Sequence, residues 1–221
     1  MKTLGIGFIG GGFITRFHIQ SMLGVRDCEV LGVMSKTKSS AEESALLANR
    51  IGVGDAKPYD TVTEMVADPE INALWICAPN FTRIEIIEEI VSAIQTGKGS
   101  LVGITCEKPL GRNFEEAKKV LTLTKKVGLL DGYLENQVFA PSVTRGKEII
   151  WERGAKTTGR PFLARAAEEH SGPHMPWFWE GELQGGGVLN DMMCHSVEEA
   201  RFMLTEPGLG RDSLTPVSIN A

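Results

Sequence analysis

The chain has 221 residues and a mass of 24.1 kDa, and its 23 Lys and Arg against 28 Asp and Glu give a formal net charge of −5. Apolar residues make up 42% and charged residues 23%, close to the globular average and far from the composition of disordered chains. A pI near 5.5 carries no basic footprint for nucleic acid or an anionic membrane surface. No apolar run approaches the ~18 residues of a membrane span.

The four cysteines (Cys28, Cys77, Cys106 and Cys194) form no C-x-x-C pair and have no metal-ligand spacing, and Cys28, Cys77 and Cys106 sit beside apolar residues, where reduced, buried thiols are expected. Met1–Ile14 has a lysine followed by apolar residues, as a signal peptide does. Glycines interrupt it, however, Arg16 and His18 follow, and no small-x-small cleavage site is present. A cytoplasmic protein is expected.

Leu4–Ile9 reads as a strand, and the glycines at 10–12 turn it into a helix running to about Gly24. Glu29–Met34 is the next strand. A helix over about 40–51 follows, with Ser40-x-x-Glu43 as a capping box and Gly52 just past its end. Ala73–Ala78 is a third apolar run, ended by Pro79-Asn80. Thr82-x-x-Glu85 opens a boxed helix with a stripe of Ile86, Ile90, Val91 and Ile94, stopped by Gly97. Leu101–Cys106 is a strand, and Asn113-x-x-Glu116 boxes a helix bearing Ala117, Val120, Leu121 and Thr124. Leu129–Tyr133 closes the set. Apolar strands alternating with helices indicate an α/β fold with a parallel sheet covered on both faces.

The texture changes after about residue 135, which divides the chain into expected domains 1–134 and 135–221. Pro141–Arg153 reads as a helix ending at Gly154, and Phe162–Ala167 alternates like a half-buried strand. A loop rich in Pro, His and aromatic residues (170–187) precedes a last helix from about Val188 to Leu204. Its apolar stripe of Leu189, Met193, Val197, Ala200 and Leu204 calls for a partner surface.

Gly10-Gly11-Gly12-Phe-Ile-Thr15 sits where the first strand turns into the first helix. A dinucleotide pyrophosphate needs that geometry: a tight glycine turn, no side chain where backbone meets phosphate, and free helix N–H groups. The fingerprint here is G-x-G-x-x-T, with Thr15 in place of the third glycine. At the end of the second strand, NAD specificity calls for an acid. Ser35-Lys36-Thr37-Lys38 stands there instead, and a hydroxyl with two ammonium groups suits a 2′-phosphate, so NADP(H) is expected over NAD(H).

Three later segments complete a pattern: Cys77-Ala-Pro79-Asn80, Glu107-Lys108-Pro109, and Gly185-Gly-Gly187-Val-Leu-Asn-Asp191-Met-Met-Cys-His195. Together with the glycine turn, in this order and spacing, they resemble the glucose–fructose oxidoreductase and inositol dehydrogenase family (Gfo/Idh/MocA). The resemblance implies a Rossmann domain with a doubly wound parallel sheet, followed by an α+β domain built on a mostly antiparallel sheet. It also implies a nicotinamide cofactor, a sugar or cyclitol substrate, and association of identical copies through the second domain. Gly10, Gly12, Phe13 and Ile14 would line the pyrophosphate and Ser35 and Lys36 the adenosine ribose. Pro79 and Asn80 would lie along the ribose side, Glu107 and Lys108 near the nicotinamide ribose. Lys108, Asp191 and His195 would form the catalytic group. Arg83 stands where the family often has His, and Val138 where an Arg is common. The sheet strands of the family's second domain are missing after the last helix, so the resemblance implies a C-terminally truncated member.

Oxidation of a carbinol requires its proton to leave with the hydride, and a histidine takes a proton near neutral pH without a large shift. Asp191 and His195, four apart, are expected on one helical face, away from the apolar stripe. From spacing alone, His195 could equally be a surface residue paired with Glu199 or Asp191. Lys108, at a strand's carboxyl end, can steady negative charge on the carbinol oxygen. His170 and His174 are also four apart, but Gly172-Pro173 keeps them off one face and speaks against a shared metal. Trp177 and Trp179 suit loop packing better than a sugar platform. Two other readings stay open, an NAD-dependent glycoside hydrolase of the same fold and a non-catalytic nucleotide-binding or regulatory protein.

Overall fold

The computed structural model describes residues 3–169 and 171–220. It forms two compact units, Met1–Leu134 with Glu180–Gly185, and Glu135–Trp179 with Gly186–Ala221.

In the first unit, strands and helices alternate in chain order: β1 (Leu4–Ile9), α1 (Phe13–Ser21), β2 (Cys28–Met34), α2 (Lys38–Ile51), β3 (Lys57–Tyr59), α3 (Val62–Ala67), β4 (Ala73–Ile76), α4 (Arg83–Gln95), β5 (Gly103–Glu107), α5 (Phe114–Lys126) and β6 (Leu130–Leu134). The strands make one parallel sheet in the order β3-β2-β1-β4-β5-β6. This is a Rossmann sheet, and its order reverses between β1 and β4.

Register partners on neighbouring strands point to the same face, and successive residues along a strand point to opposite faces. Ile6, Phe8, Val30 and Val33 therefore pack with Ile19 of α1 and Ala41, Ala45 and Ala48 of α2. Ile9, Leu74, Ile76, Ile104 and Cys106 pack on the other face with Met65, Ile87, Ile90 and Val120. Burial on both faces explains why these strands read as continuous apolar runs. Each fully buried Ile or Leu contributes about 1.5–3 kcal/mol.

The register also sets where the motifs emerge. Met34, Ile9, Ile76, Cys106 and Tyr133 are successive partners across the sheet. The segments 35–36, 10–12 and 77–80, which follow β2, β1 and β4, and 107–109 at the end of β5, all leave the sheet at its carboxyl edge.

Several local expectations are corrected. The box at Ser40 does not form, because α2 begins at Lys38 with Thr37 as its N-cap. Thr82 does not cap α4 either: a 3₁₀ turn over Asn80–Thr82 makes its backbone helical, and its hydroxyl donates to the Pro79 carbonyl at 2.8 Å. Asn113 does cap α5 by accepting the Glu116 N–H at 3.0 Å, yet Glu116 turns its carboxylate to Arg112. The reciprocal box lies at Thr61 and Glu64 on α3, an element the apolar pattern did not signal because it is six residues long.

The second unit contains α6 (Pro141–Ile149), a π-turn at Ile150–Gly154, α7 (Ala155–Thr158), α9 (Gly187–Asp191) and α10 (Met193–Leu204), while α8 (Gly181–Gln184) belongs to the first unit. The helix expected to stop at Gly154 runs on through the π-turn and ends at Gly159, whose φ is +87°. The strand expected over Phe162–Ala167 is not formed. Among the described residues the second unit holds no strand, and a lone alternating segment without a neighbour has no ladder to join. Phe162 is accordingly 91% exposed. The last helix is broken at Met192, so Asp191 and His195 lie on separate helical segments and the shared-face argument does not hold. Its apolar stripe is open, with Leu189 61% exposed.

Candidate functional site

The glycine turn shows why each glycine is there. Gly10 has φ +110°, donates its N–H to Met34 at 2.7 Å, and passes so close to β4 that a Cβ would lie 2.8 Å from the Ala78 nitrogen. Thr15 replaces the third glycine with a specific contact, its buried hydroxyl donating to the Gly10 carbonyl at 2.7 Å. Gly12 differs in kind. It is the N-cap of α1 with φ −82°, no side chain caps the helix, no acid stands in its first turn, and a Cβ there would meet nothing within 4 Å. An uncapped helix N-terminus facing open space at the sheet's switch point is the cradle a pyrophosphate fills. Phe13 is 82% exposed and Ile14 half-buried beside it. Ser35 is half-buried and Lys36 exposed directly after β2.

Asn80 is buried. Its amide donates to the Gln184 carbonyl at 2.7 Å, and its side-chain oxygen has no partner. That buried acceptor would take a donor from a cofactor lying along Pro79 and Asn80. The return of the chain at α8 supplies the Gln184 carbonyl, helped by Gly185, whose φ of +103° lets the backbone pass Arg112 where a Cβ would lie 2.2 Å from the Arg112 carbonyl. The first glycine of the later motif is thus a packing residue of the first unit.

Arg83 is 1% exposed and donates to the carbonyls of Pro109 and, at 3.3 Å, of Ala78. Its Nε has no partner, and burial pulls its guanidinium pKa down. This arginine ties the segment after β4 to the segment after β5. Glu107, also buried, has both oxygens engaged: Oε1 pairs with His18 Nε2 at 2.8 Å and Oε2 accepts the Lys108 N–H at 2.9 Å. Glu107 therefore steadies the Lys108 segment from α1. His18 was not singled out from the sequence, since a histidine inside an amphipathic helix carries no pattern of its own. Burial pushes the Cys106 thiol up to about 11, and the Cys77 thiol up as well, so neither is a ready nucleophile.

Lys108 belongs to the first unit and Asp191 and His195 to the second. Within the second unit, His195 is 5% exposed and its Nδ1 meets Glu135 Oε1 at 2.5 Å. The partner is neither Asp191 nor Glu199. Asp191 ends α9 and is half-buried; its carbonyl accepts from the Cys194 thiol at 3.3 Å. Glu135 was missed by sequence reasoning. The available signal was its place, next after β6 at the sheet's carboxyl edge. Trp177 stacks on Phe178 at 3.8 Å between ring centroids. His170 lies outside the described residues, and with it the His170/His174 question. A cleft of about 450 Å³ lies between α5 and the β5–β6 edge, lined by Ile104, Leu110, Phe114, Val120, Leu121 and Tyr133. Its lining is mostly apolar, with Lys118, Thr124 and Asp131 among the polar residues.

A Rossmann sheet with an open, uncapped helix at its switch point defines the dinucleotide-binding class of fold. Residues 4–132 match the Gfo/Idh/MocA oxidoreductase family, NAD-binding Rossmann fold, and the chain belongs to that family. It is 30% identical over 202 residues to 1,5-anhydro-D-fructose reductase of Ensifer adhaerens, covering 90% of this chain and 56% of that protein. It is 28% identical over 214 residues to levoglucosan dehydrogenase of Pseudarthrobacter phenanthrenivorans, covering 93% of this chain and 52% of the relative. Among solved structures, GenD2 from gentamicin A biosynthesis in complex with NAD superposes with a TM-score of 0.72 at 25% identity, covering 94% of this chain and 55% of that one. The chain spans about half the length of the curated relatives it matches. Among the described residues no helix is long and apolar enough to cross a membrane.

Proposed function

We propose that this chain carries the cofactor-binding and proton-transfer parts of a nicotinamide-dependent oxidoreductase acting on a secondary hydroxyl or carbonyl of a sugar or cyclitol. The observation that carries the reading is the uncapped N-terminus of α1 at Gly12, open to solvent at the switch point. Gly10, Gly12, Phe13 and Ile14 hold the pyrophosphate, Pro79 and the unpartnered Asn80 oxygen the ribose side, and Glu107 the backbone of Lys108. When bound, the nicotinamide supplies the hydride-exchanging carbon. Lys108 steadies charge on the substrate oxygen, and His195, with Asp191 near it in sequence, takes or returns the hydroxyl proton. The relatives named above act on sugars and sugar derivatives, which supports that substrate class.

We further propose NADP(H) as the preferred cofactor. Ser35 and exposed Lys36 stand where an acid would reject a 2′-phosphate. Fluorescence titration should give tighter binding of NADPH than of NADH, with Lys36→Asp abolishing the difference. Equal affinities in the unaltered chain would end the NADP(H) reading. Hydride exchange with a panel of sugars and cyclitols tests the activity itself. There His195→Ala should lower turnover by about 10²–10⁴-fold with cofactor affinity kept, and a fully active variant would remove His195 from proton transfer. The open stripe at Leu189 and Val197 supports association of copies through the second unit. Cys28, Cys77, Cys106 and Cys194 are thiols rather than disulfide partners, which supports a reducing compartment such as the cytoplasm.

A further inference from the structure

The Glu135 carboxylate is 5% exposed and surrounded by donors. Its Oε1 accepts the Gln137 N–H at 3.0 Å, and its Oε2 lies 3.5 Å from the Val138 N–H. These two amides open the 3₁₀ turn over Gln137–Phe139, so the carboxylate serves as that turn's side-chain acceptor. An ionised carboxylate held this way can only accept. The nitrogen facing it at 2.5 Å, His195 Nδ1, must then bring the proton. A neutral imidazole has one N–H, so fixing it on Nδ1 leaves the lone pair on Nε2. That is the reverse of the tautomer a free histidine prefers in water.

We infer that Glu135 is a positioning residue that locks the His195 imidazole in the Nδ1–H tautomer, making Nε2 the atom available for proton transfer. This rests on the reading of His195 as the acid–base group. In the oxidative direction the O–H bond of the carbinol breaks, its proton forms the Nε2–H bond and its electron pair becomes the C=O π bond, while the C–H hydride would go to the nicotinamide of the proposed function. The resulting imidazolium charge lies against the Glu135 carboxylate. In the reductive direction the same proton returns to the oxygen. The device resembles in its logic any histidine base oriented by a carboxylate on its far nitrogen, but here the carboxylate comes from a position 60 residues away rather than from the neighbouring Asp191.

The test is nitrogen-15 NMR of the full chain labelled at histidine, with the His195 signals assigned by their loss in His195→Gln. The spectra are taken at a pH where the ring is neutral. The unaltered chain should show Nδ1 protonated and Nε2 bare. In Glu135→Ala the ring should revert to predominantly Nε2–H, and in Glu135→Gln, which keeps the shape and an acceptor for the turn, the two tautomers should mix. Dispersed amide spectra confirm that each variant folds. Where hydride exchange is measurable, Glu135→Gln should lower kcat by about 10–10²-fold while KM stays within about twofold. A bare Nδ1 in the unaltered chain, or an unchanged tautomer in both folded variants, would overturn the proposal. A tautomer that responds as expected with unchanged kcat would uphold the role of Glu135 and instead end the reading of His195 as the acid–base group.

Discussion

Two glycines two positions apart in the same turn have opposite reasons to exist. Gly10 is required by the fold, since its φ of +110° and its approach to Ala78 leave no place for a Cβ. Gly12 is not required by the fold: its φ of −82° suits any residue and its Cβ would meet nothing. Gly10→Ala should therefore cost about 1–3 kcal/mol or more in urea denaturation. Gly12→Ala should leave stability within about 1 kcal/mol and lower NADPH affinity by at least about tenfold, because its methyl would occupy the phosphate cradle. Unchanged affinity in Gly12→Ala would place the pyrophosphate elsewhere.

Also at this scale, the Asp68 carboxylate accepts the Tyr59 hydroxyl at 2.6 Å and pairs with the Lys57 ammonium at 2.9 Å. The hydrogen bond from Tyr59, then that from Lys57, holds Asp68 at about 2, below its ordinary 3.8. Burial first, then the bond to Asp68, pushes Tyr59 up to about 12. A carboxylate lowered on folding adds stability above its unfolded pKa and loses it as pH falls through the folded one. A phenol raised on folding stabilises below its unfolded pKa and loses that as pH rises through the folded one. Lys57 is 60% exposed, so solvent screens its share. Asp68→Asn should cost about 1–2 kcal/mol above pH 4, and the difference should vanish below about pH 2. A constant difference across that range would show that Asp68 acts by packing rather than by charge.

At the scale of elements, capping separated what spacing suggests from what the chain builds. Three S/T/N-x-x-E patterns introduced apolar helices, and only Asn113 accepts its N3 amide. A box needs extended backbone at the cap, and Thr82 is denied it by the preceding 3₁₀ turn. The segment after Gly159 makes the same point for strands. Its alternation suits a sheet, but a strand's N–H and C=O groups are satisfied only by a neighbouring strand. Hydrogen exchange should separate the two cases, with amides of β1, β4 and β5 exchanging at least about 10³-fold more slowly than those of 160–169. Slow exchange across 160–169 would mean that this segment has found a strand partner in a second copy.

For the molecule as a whole, the parallel register of the sheet is what makes motifs from distant sequence positions meet. Ile9, Met34, Ile76 and Cys106 are level neighbours. The glycine turn, the Ser-Lys pair, the Pro-Asn pair and the Glu-Lys-Pro segment consequently leave one edge together. Arg83 and the His18–Glu107 pair then cross-link that edge, the first between the loops after β4 and β5, the second between α1 and β5.

Much of this protein was legible in its residues alone. Apolar runs of five or six residues marked the strands β1, β2, β4, β5 and β6, glycines marked helix ends at Gly52 and Gly97, and ordered motifs marked the family, because these are local signals written in neighbouring side chains. The three-residue β3 is too short for such a run, and the six-residue α3 is too short to show a helical repeat. Pairings across long stretches of chain were decided by tertiary structure. Glu135 with His195, Asn80 with Gln184 and His18 with Glu107 are separated by 60, 104 and 89 residues. The break at Met192 and the unpaired fate of Phe162–Ala167 belong to the same class. Spacing reports what a residue can reach along its own helix or strand, whereas the partner of a buried charge or an open backbone group is whichever group the packed chain brings within three ångströms.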